Sequence, residues 1–351
     1  MILKRLDELK GNEKLARTLM TWDYQVILPE GAILKKEYID RIYELGILDV
    51  YVEEDDEAKT NEIVILKSDI ECSVKEKVKD ILERHTYQNN QELVELCETA
   101  DDIIYNILEE DKVVEQIYDI KERSTDIYEH SISICSLAIL TALKLGIDKD
   151  AIHDIGVGCL LHDIGLRYST VDFVNRDIHD MNENEFIEYK KHPVYAYSSL
   201  KDEDWISDLS KNIILYHHER TDGVGFPLRL KEIPIECHIV NVCDAFDEMI
   251  CGISQKQVKV YEAIEYLKNF KTIKFNSEVV DAFLSFTAVY PAGSHVLTSQ
   301  GETAVVLSQN KEFQDRPVIK IIKDKDGNTV TEERIIDLVR VYNIFIDKVI
   351  D

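Results

Sequence analysis

Cys159-Leu160-Leu161-His162-Asp163-Ile164-Gly165 is the stretch from which the rest of the chain can be read. Three apolar residues lead into a His-Asp pair, and Gly165 follows as a helix stop. A buried helix that ends on adjacent imidazole and carboxylate groups aims two ligands at one point, a natural corner for a divalent cation. A near copy, His153-Asp154-Ile155-Gly156, lies nine residues earlier. At about 100° per residue, nine positions bring the second copy to the opposite face of a continuous helix, so only one copy can face the site. The later copy follows Cys-Leu-Leu, whereas the earlier follows Lys149-Asp150-Ala151-Ile152 near a helix start. His153 and Asp154 therefore read as surface and capping residues.

Partners for the later pair are spread over the next and preceding segments. Asp126 and His130 stand four apart, on one helical face. His192 precedes Pro193 at an expected helix start, and His217-His218 close the apolar run Ile213-Ile214-Leu215. Asp244 follows Ile239-Val240-Asn241-Val242-Cys243, where an unpaired carboxylate would be expensive. Each cluster alone has a bland reading as a core histidine, a cap or a surface charge. Together they supply imidazole and carboxylate without thiolate, a set suited to Fe, Mn or Zn and larger than one ion needs. After His217-His218-Glu219 the chain runs into Asp222-Gly223-Val224-Gly225-Phe226-Pro227, a glycine-containing loop able to shape a pocket wall.

Composition sets the frame for this site. The 351 residues suggest two or three domains, and 45% apolar with 31% charged residues describes an ordinary globular protein. With 41 Lys+Arg against 68 Asp+Glu the net charge is −27, which argues against a nucleic-acid polymer or an anionic membrane as partner. An anionic substrate would need local positive charge, which divalent ions would supply. Seven cysteines without a Cys-x-x-Cys pair read as reduced thiols. No signal-peptide core or long apolar run is present, so a cytoplasmic location is expected.

The chain reads as four stretches. Residues 1–60 alternate extended and helical patterns, with extended segments at 15–20, 24–28 and 47–52, a helix over 36–45 and Gly46 as its stop, giving a small α+β regulatory or docking module. Residues 61–115 carry apolar residues at helical spacing, a connector in which His85 reads as a surface residue. Residues 116–286 form the histidine-rich helical core. Residues 287–351 turn to Val, Thr and Ile with a Lys-Asp-Gly-Asn turn at 325–328 between Val318–Ile322 and Thr329-Val330, an expected hairpin in a β-rich appendage. The fold class is mainly α.

His162-Asp163, His217-His218-Glu219 and Asp222 to Pro227 together resemble the HD-GYP domain, a branch of the HD phosphohydrolase superfamily; Gly225-Phe226-Pro227 stands where that family has Gly-Tyr-Pro. The resemblance covers about 116–286. It implies an all-helical domain with two or three divalent transition metals, Fe or Mn first and Zn next, that hydrolyses cyclic di-GMP to the linear dinucleotide and onward to GMP, with a hydroxide bridging two metals as nucleophile. Carried over by position, the ligands are Asp126, His130, His162, Asp163, His192, His217, His218 and Asp244, with His162 and Asp163 the catalytic pair and Asp163 the bridge. Substrate contacts fall to Arg167, Arg220, Gly223, Gly225, Phe226, Pro227 and Lys256, and a homodimer is expected. The chain departs from the family at Leu166, where a Lys is usual, and at 253–259, where an Arg is common and only Lys256 and Lys259 are offered. Two other readings follow from those departures: a metal- and nucleotide-binding signalling module of weak activity, or a phosphodiesterase for another cyclic dinucleotide.

Overall fold

The computed structural model describes residues 2–350 except 7–8, 21–25, 30, 46, 48, 53–59, 86–90, 110–112, 124 and 174–175. The N-terminal unit pairs β1 (Ile2–Arg5) with β4 (Asp49–Val52) and β2 (Leu19–Met20) with β3 (Val26–Leu28), both antiparallel. Helix α1 (Lys36–Glu44) packs its apolar stripe on them through Ile42, over a small core of Leu6, Leu15, Leu34, Val50 and Val52. Of the stretch expected as extended over 15–20, only Leu19–Met20 is a strand, and residues 24–25 and the Gly46 stop lie outside the described residues.

The connector is helical as expected, with α2 (Ser68–Arg84) and α3 (Glu95–Leu108). The core then winds through α4 (Ile127–Leu145), α5 (Lys149–Leu161), α6 (Glu183–Tyr189), α7 (His192–Leu200), α8 (Asp208–Tyr216), α9 (Ile235–Cys251), α10 (Val260–Phe270) and α11 (Ser277–Leu284). α4 is the spine. Every residue from Glu129 to Ala142 is buried, because α2, α3, α5, α9 and α11 surround it. Three of its hydroxyls are spent on its own backbone: Ser131, Ser136 and Thr141 donate to the carbonyls four residues back. Asp126 caps its start and Gly146, at φ 73°, ends it in the left-handed conformation only glycine adopts freely.

The tail is one antiparallel sheet in the order β8-β7-β6-β5-β9, from β5 (His295–Thr298), β6 (Thr303–Ser308), β7 (Val318–Lys323), β8 (Ile335–Asp337) and β9 (Ile346–Val349). The turn at 325–328 does close a hairpin: Lys323 bridges Thr329 and the Val330 amide donates to the Ile322 carbonyl. Buried Asp119 ties this sheet to the helices by accepting from the amides of Ile63 and Ala292 and from Gln309. The molecule is mainly helical, with its β structure at the two ends.

Candidate metal centre

Helix ends, rather than helix faces, build the centre. His130 comes from the first turn of α4, and His162 caps the C-terminus of α5 with Asp163 directly after it. His192 opens α7, where Pro193 tolerates the missing amide, and His217 caps α8 with His218 behind it. Only Asp244 comes from mid-helix, on α9. Gly165 allows the first two groups to meet: a Cβ there would sit 2.0 Å from the His192 carbonyl oxygen, so a short 3-10 turn (Ile164–Tyr168) can lie against the start of α7 only with glycine at this position. Gly225 does the same for the loop after His218, where a Cβ would approach the Arg220 amide nitrogen to 2.5 Å.

The rings are held by their outer nitrogens. Nδ1 of His162, His192 and His217 lies 2.7, 2.8 and 2.9 Å from the carbonyls of Cys159, Tyr189 and Ile214, each three residues back. Nδ1 of His130 lies 2.8 Å from the Asp247 carboxylate. A carbonyl can only accept, so each Nδ1 facing one carries the proton and each Nε2 turns a lone pair inward. The consequence is an unsatisfied interior. Nε2 of His130 and of His162 are buried with no hydrogen-bond partner, and Nε2 of His192 and His217 face each other at 3.1 Å. Two neutral acceptors at that separation repel unless a cation or proton lies between them. The donor set therefore fits divalent cations.

Two groupings carry the centre. His130, His162 and Asp244 form one; Asp163, His192, His217 and His218 form the other. Asp163 spans them: Oδ2 is 3.3 Å from His162 Nε2 and 3.7 Å from His130 Nε2, while Oδ1 is 3.3 Å from His192 Nε2 and 3.8 Å from His217 Nε2. Asp244 reaches His130 at 3.3 Å with Oδ1 and His218 at 3.7 Å with Oδ2. Without cations the rings titrate apart. Burial disfavours charge on His162, but the Asp163 and Asp244 carboxylates outweigh it and push it up to about 10. His130 moves the same way. Burial lowers His192 and His217 and takes His218 down to about 4. Burial opposes ionisation of Asp163 and Asp244, yet the neighbouring histidines hold both well below the ordinary carboxylate range.

Other expected site residues lie elsewhere. Asp126 is not brought into the groupings: Oδ1 caps the Tyr128 and Glu129 amides and Oδ2 sits 2.7 Å from Lys75 Nζ. Sharing a helical face with His130 was not enough, because a cap residue points its side chain back over the helix end. Arg167 donates to the Leu82 carbonyl on α2, away from the groupings, and Lys256 is exposed. Arg220 is paired with Asp222. Phe226 does roof the centre, stacked on the His218 ring at 4.5 Å and 27°, with Gly223, Gly225 and Pro227 in the same cleft wall. His85, expected at the surface, is 5% exposed and its Nε2 lies 3.3 Å from the Tyr168 hydroxyl, because the 3-10 turn folds over it. His153 is a surface residue paired with Asp101, but Asp148 rather than Asp154 caps α5.

The positioning groups were not read from the sequence. Asp247, fully buried, holds His130, accepts from Ser133 at 2.6 Å and pairs with Arg123. Asn241 donates to the carbonyls of Tyr216, His217 and Glu219, pinning the turn that carries both histidines. Glu219 accepts from the amides of Leu228, Arg229 and Leu230 at 2.6, 2.9 and 2.8 Å. Glu248 stands with His218 and Asp244 in a further grouping. A helical spacing of three and four from Asp244 was the available signal for Asp247 and Glu248.

Residues 112–279 match the HD domain, and residues 295–351 match the KOW domain associated with HD domain. Residues 112–279 of the chain are thus an HD domain. It is 26% identical over 245 residues to the cyclic di-GMP phosphodiesterase PA4108 of Pseudomonas aeruginosa, covering 69% of this chain and 58% of that protein. Against a cyclic di-GMP phosphodiesterase of Thermotoga maritima it is 29% identical over 188 residues, 52% of this chain and 50% of that one. The chain thus spans about half the length of the curated relatives it matches. In fold it is similar to an HDG"Y"P protein from Bdellovibrio bacteriovorus, at TM-score 0.55 and 20% identity, over 80% of this chain and 97% of that one. Among the described residues no helix is long and apolar enough to cross a membrane.

Proposed function

We propose that this chain is a metal-dependent phosphodiesterase of the HD-GYP kind that hydrolyses cyclic di-GMP. The observation that carries the proposal is the set of inward-facing ring nitrogens of His130, His162, His192 and His217 bracketed by Asp163, since such a centre suits two adjacent divalent ions. The names of the relatives supply the substrate class. His130, His162 and Asp244 would hold one ion, His192, His217 and His218 the other, and Asp163 both, with Fe or Mn the metals best matched to nitrogen and oxygen donors. When bound, such ions act as Lewis acids toward a phosphodiester and lower the pKa of water. The chain's own contribution is placement. Asp163 fixes the spacing of the two halves, Asp247 and three backbone carbonyls orient four of the five imidazoles, and Phe226 closes the side above His218 against water.

The test is turnover of cyclic di-GMP by anaerobically purified, Fe- or Mn-loaded protein, with product analysis distinguishing the linear dinucleotide from GMP. Expected is hydrolysis that is lost, together with bound metal, in Asp163→Ala. Turnover and metal content that both survive that substitution would sink the proposal. Tight metal and nucleotide binding with no turnover would select the signalling-module reading, and preferential turnover of a different cyclic dinucleotide in a side-by-side panel would reassign the substrate.

A further inference from the structure

Beside the centre lies an open cleft of about 430 Å3, with Lys190, Val194, Phe226, Pro227 and Arg229 in its walls. The Phe226 wall is backed by apolar packing, because Phe226 and Phe186 pack against a cluster that includes buried Leu166 and Tyr189. Lys190 and Arg229 put two cations on the cleft in a chain of net charge −27. Lys190 Nζ lies 5.3 Å from the centre of the Phe226 ring and 4.0 Å from that of Phe186. Among the described residues, neither Lys190 nor Arg229 has a carboxylate within ion-pair distance, whereas the neighbouring Lys191 is neutralised by Glu188 at 2.9 Å and Arg220 by Asp222. Unneutralised cations on one wall, next to an aromatic face, are complementary to an anion that carries a flat ring.

The backbone adds a second, independent sign. Arg229 has φ +61°, a left-handed conformation that a long side chain rarely adopts, and it persists because the Glu219 carboxylate clamps the amides of residues 228 to 230. Glu219 itself is 2% exposed and directly follows His218, so the clamp ties the placement of Arg229 to the metal centre. Strain kept in place by a buried carboxylate marks a side chain whose direction matters.

We propose that Lys190 and Arg229 form a phosphate-gripping subsite that holds a nucleoside phosphate in the cleft beside Phe226. This rests on the phosphodiesterase reading for the choice of nucleotide, but the experiment does not need turnover. GMP and guanosine are titrated calorimetrically into the full-length, Mn-loaded chain, and into Lys190→Gln, Arg229→Gln and Arg229→Gly. Wild type is expected to prefer GMP to guanosine. Each Gln variant should weaken GMP about tenfold or more while leaving guanosine affinity and bound Mn unchanged. Arg229→Gly separates binding from folding, because it should raise the melting temperature by relieving the positive φ and still lose GMP affinity. Unchanged GMP affinity in both Gln variants, an equal loss for guanosine, or no preference for GMP in wild type would each overturn the subsite. If the GMP results hold but cyclic di-GMP is not hydrolysed, the subsite stands and the proposed reaction fails.

Discussion

His-Asp-Ile-Gly occurs twice, at 153–156 inside α5 and at 162–165 just beyond its end, and the two copies occupy opposite worlds. The His153 side chain is 34% exposed and its Nδ1 lies 2.8 Å from an Asp101 carboxylate that faces water. His162 is wholly buried, its Nδ1 set by the Cys159 carbonyl and its Nε2 left without a partner. Gly156 lets α5 approach α3, where a Cβ would meet Ala100 Cβ at 3.1 Å; Gly165 lets the following turn approach the α7 backbone itself. Four identical residues thus serve helix packing in one place and join a cluster of His and Asp side chains that could hold metal ions in the other. What separates them is the helix end: inside a helix the backbone groups are spent on each other, whereas at its terminus the chain can turn and present two side chains to one point.

This contrast can be broken most forcefully at the aspartates. Asp163→Ala should abolish tight metal binding and lower cyclic di-GMP turnover about a thousandfold or more, several kcal/mol of transition-state stabilisation, while Asp154→Ala leaves both near wild type. Elemental analysis and initial rates on the two variants decide it, and equal effects would erase the distinction. The glycines come next. Gly165→Ala should destabilise the fold by about 3 kcal/mol or more, since the new Cβ meets rigid backbone, whereas Gly156→Ala should be near neutral because helix propensity offsets a mild contact. Denaturant midpoints measure both.

Asp247 sharpens the comparison from the second layer. Asp101 next to His153 is exposed, but Asp247 next to His130 is fully buried and charge-paired with Arg123. Asp247→Asn should cost about 10–100-fold in metal affinity, read by competition with a chelator, while Asp101→Asn should leave it unchanged. The histidines also differ in acid–base behaviour. Without a bound cation the Asp163 and Asp244 carboxylates push His162 up to about 10, and Asp244 and Asp247 raise His130 as well, so metal binding competes with protons at these rings. Metal affinity should therefore rise with pH between about 6 and 8, by roughly tenfold per unit for each proton released. Calorimetry in buffers of different ionisation enthalpy counts the protons; a pH-independent affinity would contradict the assignment. The smallest effect is expected at His153→Asn, below about 1 kcal/mol in stability and without change in metal content.

Much of this was legible in the sequence. The helical period over 61–286, the change to Val, Thr and Ile after 287, and the residue types at 130, 162, 163, 192, 217, 218 and 244 all lie within local patterns, and the structure brings those seven residues together. Phase along α5 said that only one His-Asp copy could face the other histidines, and the apolar Cys-Leu-Leu chose 162–163, the copy that lies among them. Local pattern failed where direction or distant partners decide. Asp126 shares a face with His130 yet turns to cap α4 and pair with Lys75; Arg167, next to Leu166, spends its guanidinium on the Leu82 carbonyl; His85, in a polar run, is covered by Tyr168 from 83 positions away. Asp247 meets His130 across 117 positions. The sequence by itself determined which chemistry could be assembled, since ligand type and helical spacing are written residue by residue. Only the tertiary structure decided which groups complete it, because the outer hydrogen bonds that fix each ring, the closeness that Gly165 permits and the wall that carries Lys190 and Arg229 all arise between segments far apart in the chain.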